Sequence, residues 1–229
     1  MTGRGALAPN NLWQAFERVA VERPDAPALV FPDGVDSFAS LRDVAGRVAG
    51  WLKGQEVRRG DVVAIQLPKW RETYALWLAC LHQGCPYVFM DPRNPPPRNS
   101  RIHGRLRPRL LVTTGETTNP HGLTLRIATP EDAGRWLAGV PAPQAALLPA
   151  SPHGLDPAYI MFTSGSTGEP KGAVIPHQGV LSLMRWARSR TIWHEDARFS
   201  NINPLHFDNA VFDLYGGLLN GAALVPVET

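Results

Sequence analysis

Short apolar runs alternate along this chain with segments of helical periodicity, and that alternation restricts the fold more than any other feature. An apolar run, a helical pattern and a second apolar run read as a βαβ unit with parallel strands. The clearest case predicts a strand at Val62–Leu67, a helix at Glu72–Gln83 stopped by Gly84, and a strand at Tyr87–Met90. Upstream, Asn11 is placed to cap a helix running to about Glu22, with Leu12, Phe16 and Val19 on one face and Pro24 closing it. Ala28–Phe31 reads as a strand turned by Pro32-Asp33-Gly34. Ser40 is expected to cap a second helix, with Leu41, Val44, Ala45, Val48 and Leu52 at helical spacing and Gly54 as its stop. Arg109–Thr114 and Leu123–Ala128 are further strands. The fold class that follows is α/β, with largely parallel layered sheets and flanking helices.

The pattern breaks in VPAPQAALLPASPHGLDP, a Pro-, Ala- and Ser-rich stretch that reads as a linker or long surface connection. The expected organisation is a first α/β subdomain over residues 1–140, this connection over 141–157, and the start of a second α/β subdomain over 158–229. In that last part Tyr159–Thr163, Ala173–Ile175, Phe199–Ile202 and Ala223–Val227 read as strands. Gln178–Arg188 and Asn209–Leu219 read as helices.

Composition narrows the function classes. The chain has 229 residues, 44% of them apolar and 19% charged, as in an ordinary globular protein. Its formal net charge of +3 does not suggest nucleic acid as a partner. No apolar stretch approaches a membrane span, and the N-terminus lacks the apolar run of a secretory signal. Cys80 and Cys85 match no zinc or redox spacing and read as buried, reduced thiols, so a cytoplasmic location is expected.

Between two predicted strands lies Thr163–Gly172, TSGSTGEPKG. Its glycines let the backbone approach an anion closely, and successive N–H groups can form a nest for it. Thr163, Ser164, Ser166 and Thr167 add hydroxyls, Gly165 and Gly168 supply freedom, and Lys171 adds positive charge. The pattern is not that of the NTPase P-loop, because Pro170 precedes the lysine where Gly-Lys-Ser/Thr should open a helix. Taken alone, such a loop reads equally well as an exposed flexible turn.

The longer string YIMFTSGSTGEPKGAVIPH resembles the signature of the adenylate-forming superfamily, which comprises acyl-CoA synthetases, luciferases and the adenylation domains of nonribosomal peptide synthetases. Asp36–Leu41 resembles the family's first core motif and Leu81–Pro96 its second, with Phe89-Met90-Asp91 departing mildly from the usual pattern. The resemblance implies the first part of the large N-terminal domain of such enzymes. It also implies ATP and Mg²⁺ as cofactors, with the loop residues Thr163–Gly168 and Lys171 on the phosphates.

Ile202–Glu228 resembles the segment in which amino-acid-activating members hold the substrate's α-ammonium with an aspartate. Carried over, that residue is Asp208, while Asn209 and Phe212 match positions lining the side-chain pocket and Phe207 matches an aromatic near the acyl and nucleotide sites. Asp208 also reads as a plain helix N-cap, and both readings stay open. Asp213 reads as a solvent or capping charge, His177 as a structural residue opening a helix, and His206 as a pocket neighbour. The arginines of Arg93–Arg109 read as a solvated face, with an acidic partner such as a phosphopantetheine carrier as the alternative.

The implied reaction joins ATP and a carboxylate into an acyl-adenylate with release of pyrophosphate. No residue of this chain is assigned as catalytic or as a metal ligand. The family's adenine and Mg²⁺ motif, ribose aspartate, hinge and mobile C-terminal lysine domain have no counterpart here, so another chain or a missing C-terminal portion is expected to supply them. An aryl-acid or acyl-CoA ligase fragment, and a non-catalytic nucleotide- or carrier-binding remnant, are the other readings.

Overall fold

A computed structural model describes residues 8–117, 119–140, 151–164, 170–190, 194 and 196–228 of the chain. Of the Pro-rich connection expected at 141–157, residues 141–150 lie outside the described residues.

The N-terminal third builds the frame. Helix α1 (Leu12–Glu22) is capped as its sequence requires, the Asn11 side chain accepting from the Gln14 N–H at 2.9 Å. Strands β1 (Pro27–Phe31) and β2 (Gly34–Ser37) form a hairpin. Helix α2 (Phe38–Gly54) follows directly, and its cap is Ser37, whose hydroxyl accepts from the Ser40 N–H at 3.2 Å. Ser40 is thus the donor in the cap it was expected to make. The helix starts earlier because Phe38 is buried on the same face as Leu41 and Ala45.

The βαβ unit is present as β3 (Val63–Gln66), α3 (Arg71–Gln83) and β4 (Tyr87–Phe89), with Val63 opposite Tyr87 in parallel register. Gly84 closes α3 at φ 73°, the left-handed cap that glycine adopts without strain. Ten of the residues of α3 are buried, so the helix is covered on all sides rather than along one stripe. Cys80 within it and Cys85 just after it are buried free thiols. Next come α4 (Pro96–Leu106), β5 (Leu110–Thr113), β6 (Leu123–Arg126) and α5 (Pro130–Gly139). The described remainder is β7 (Pro157–Ser164), β8 (Pro170–Pro176), α6 (His177–Arg190), β9 (Arg198–Asn201), α7 (Asp208–Leu218) and β10 (Ala223–Pro226).

These strands form two sheets, a four-stranded one in the order β2-β1-β10-β9 and a six-stranded one in the order β6-β5-β3-β4-β7-β8. Among the described residues every pairing is parallel except the hairpins β1–β2 and β7–β8. Both sheets draw strands from either side of residues 141–157: β7 pairs with β4, and β10 pairs with β1. An aromatic cluster fixes α7 against the six-stranded sheet. Trp77 of α3 meets Tyr215 of α7 edge-on at 5.2 Å, the Tyr215 and Tyr87 hydroxyls are 3.0 Å apart, and Tyr159 stacks on Tyr87. Such contacts contribute beyond their buried area and hold the α7 N-terminus near the ends of β4 and β7.

Candidate functional site

The hairpin β7–β8 follows from its sequence. Ile160 and Phe162 alternate with Tyr159 and Met161, and the register sets Thr163 opposite Lys171 and Ser164 opposite Pro170. Gly165, Ser166, Thr167 and Gly168, together with the Ser164 side chain, lie outside the described residues. Thr163 and Lys171, which bracket them, are exposed. Gly172 faces Phe162 across the hairpin, and a Cβ there would sit 3.1 Å from the Phe162 ring and from Ile160. A methyl at the last glycine of the motif would therefore press on both side chains.

Across from this hairpin the chain reaches α7 through a tight turn, with the Phe207 N–H donating to Pro204 O at 2.9 Å. The N-cap position of α7 is Phe207, and no side chain caps the helix. Asp208 is the first helical residue, and its carboxylate accepts from the adjacent Asn209 N–H at 2.9 Å. The plain N-cap geometry is not adopted. The carboxylate stands exposed at the N-terminal end of α7.

Thr163, Phe207 and Asp208 converge on one cavity of about 710 Å³. Its apolar lining includes Val88, Phe89, Met90, Ile102, Met161 and Phe162, and its polar rim adds Asp91, Arg93, Asn94, Arg98 and His206. Asp91 organises the rim: Oδ1 accepts from the Arg93 N–H at 2.8 Å and from Arg93 Nε at 3.2 Å, while Oδ2 lies 3.4 Å from His206 Nε2. Burial pushes the His206 imidazole pKa down, with Asp91 opposing, and the His206 ring tilts against Phe207 at 4.7 Å.

Several residues fall elsewhere than the sequence suggests. Asn209 and Phe212 are exposed on α7 and do not line this cavity. Arg93 and Arg98, expected on a solvated face, line it. Asp213 is an acceptor rather than a solvent charge, receiving the Asn201 and Asn203 side-chain amides at 3.2 and 3.1 Å. The signal for Asp91, Arg93 and Arg98 was the DPRNPPPR string, but nothing local tells which way its side chains point. His177 is structural: it is buried, and its Nδ1 accepts the otherwise unpaired Leu12 N–H of α1 at 3.3 Å.

The donor set suits a polyphosphate at the hairpin, where an exposed ammonium and hydroxyl flank a glycine-rich connection. Among the described residues no three His, Cys, Asp or Glu side chains are grouped to hold a metal ion. No helix among them is long and apolar enough to cross a membrane.

Comparison with known proteins gives a consistent set. The profile of a family described as AMP-binding enzyme matches residues 16–229. The chain is 34% identical over 219 residues to surfactin synthase subunit 2 of Bacillus subtilis, a match covering 94% of this chain and 6% of that protein. The N-terminal subdomain of Klebsiella oxytoca NpsA, solved in complex with 3-hydroxybenzoyl-AMSN, superposes with a TM-score of 0.84 at 23% identity, over 96% of this chain and 54% of that one. NpsA-ThdA of the same organism, an artificially fused adenylation-PCP di-domain, gives a TM-score of 0.84 at 22% identity, covering 97% of this chain and 44% of that one. The chain thus spans about half of the solved subdomain and a small part of the synthetase.

Proposed function

The chain belongs to the AMP-binding enzyme family, and we propose that its cavity serves the ATP-dependent activation of an amino acid as an aminoacyl-adenylate. The observation that carries this reading is the convergence of Thr163, which leads into the glycine-rich hairpin, and Asp208 on one cavity. In the proposed reaction a carboxylate oxygen of the amino acid attacks the α-phosphorus of ATP in line. The bond to the β-phosphate oxygen breaks, and pyrophosphate leaves.

The residues divide the work. Thr163, Lys171 and the glycine-rich residues Ser164–Gly168 of the same motif hold the β- and γ-phosphates and neutralise charge on the leaving group. Asp208 pairs with the substrate ammonium, which turns the carboxylate toward the α-phosphate. No general base is required, because the attacking carboxylate is already ionised at neutral pH. Phe207 closes the apolar side, while Asn209 and Phe212, exposed on α7 outside this cavity, would meet the substrate side chain only where it leaves the cavity. Mg²⁺ would share the phosphate charge, and its ligands are assigned to no described residue.

A carrier protein bearing phosphopantetheine is the proposed acyl acceptor, supported by the fused adenylation-PCP relative. The wider architecture that the relatives carry is proposed to complete the site. Pyrophosphate exchange across an amino-acid panel tests the reading, with the chain alone and together with any adjacently encoded protein. Asp208→Asn should raise the amino-acid KM about tenfold or more, since a charge-assisted hydrogen bond is worth roughly 1.5–3 kcal/mol. Amino-acid exchange that survives Asp208→Asn unchanged would remove the ammonium role. Exchange with aryl acids and none with amino acids would place the chain in the aryl-acid branch instead.

A further inference from the structure

Lys69 lies between β3 and α3, only 6% exposed, and its ammonium is surrounded by main-chain oxygens. Nζ donates to the carbonyls of Asn201 at 2.7 Å, Ile202 at 3.0 Å and Val227 at 2.7 Å. Its own N–H donates to the Glu228 carboxylate at 3.1 Å. The carbonyls lie at the ends of β9 and β10, where Asn201 O also takes the Val227 N–H at 3.2 Å, whereas Lys69 follows a strand of the six-stranded sheet. A buried ammonium is tolerated where each of its protons finds an acceptor, as here. A compact charge with three donors suits three converging carbonyls better than the planar fork of arginine. Burial lowers the Lys69 pKa, with Glu228 and Asp213 opposing.

The segment that begins at this anchor ends at the cavity. Asn201 also accepts from the Tyr74 hydroxyl at 2.8 Å, and Asp213 ties Asn201 and Asn203 back to α7. Residues 202–207 are thereby held at their root by Lys69 and in their middle by Asp213, and they deliver Asp208.

We propose that Lys69 is a positioning residue of the substrate site, fixing the exit of β9 and with it the placement of Phe207 and Asp208 over the cavity. The proposal rests on the reading of Asp208 as the ammonium ligand. It is tested first by amide hydrogen exchange of the 229-residue chain, which needs no turnover. Lys69→Met should speed exchange over residues 202–208 about tenfold or more while β3, β4 and α3 keep their protection. In the exchange-competent assembly it should raise the amino-acid KM about tenfold with the ATP KM unchanged, and Lys69→Arg should recover part of that loss.

Unchanged protection at 202–208, or a loss spread evenly over both sheets, overturns the proposal, as does an unchanged amino-acid KM. Should Lys69→Met fail to fold, Asp213→Asn carries the same test, since it keeps the shape and weakens the second tie. Asp208→Asn separates the two readings: it should raise the amino-acid KM and leave exchange over 202–207 as it was. A KM unmoved by Asp208→Asn, alongside faster exchange in Lys69→Met, would refute the ammonium reading while supporting the anchoring role.

Discussion

His177 illustrates how a single side chain can be read from sequence in kind but not in partner. Its place at the start of a helix marks it as structural, yet the partner is the Leu12 N–H, far away in sequence. Burial pushes its pKa from 6.5 down to about 4, Asp156 opposing and Arg59 adding to the effect. The folded state therefore holds a neutral imidazole. Stability from this group is complete above pH 6.5 and is lost as the pH falls toward 4, because the unfolded chain takes up the proton first. His177→Gln, which keeps an acceptor and cannot titrate, should reduce the pH dependence of unfolding in that window by about one proton, or roughly 1.4 kcal/mol per pH unit. Denaturant titrations between pH 7 and 4 measure this, and equal slopes in the two proteins would contradict it. Lys69 was hidden for a related reason. Its acceptors are main-chain carbonyls, which no pattern of side chains announces.

At the scale of elements, legibility followed the strength of the local signal. The unit β3-α3-β4 was readable because its apolar runs are short and Gly84 punctuates them. Helix α5 was not, since Ala133 is its only buried residue, although a capping box of Thr129 and Asp132 marks its start. Helix α4 opens on prolines and carries arginines, so its composition reads as a solvated segment. Only its packing over Val88 and Met90 turns Arg98 toward the cavity. The hairpin β7–β8 supplies a test at this scale. Gly172→Ala puts a methyl 3.1 Å from Ile160 and Phe162, and Phe162 lines the cavity. Overpacking of this kind should cost about 1–3 kcal/mol, measured by denaturant unfolding. A neutral effect would mean that Phe162 moves aside freely and does not define the cavity wall.

Across the whole molecule the site is a product of topology. Thr163 ends a strand of the six-stranded sheet, whereas Asp208 opens a helix that follows a strand of the four-stranded sheet. Their meeting depends on α3, buried on every side, and on the Trp77, Tyr87, Tyr159 and Tyr215 cluster that locks α7 in place. The family resemblance pointed to both residues separately. The sharing of one cavity, and the inclusion of Asp91, Arg93 and Arg98 in its rim, required the fold. On the proposed reading this cavity holds an aminoacyl-adenylate by its ammonium and its phosphate. The most direct test measures binding of a non-hydrolysable aminoacyl-adenylate analogue against its counterpart lacking the amine, using the activating assembly and the amino acid selected by exchange. On that reading, loss of the amine weakens binding about tenfold or more, and Asp208→Asn abolishes the difference between the two compounds. Equal affinity for both compounds in the unaltered protein would contradict it.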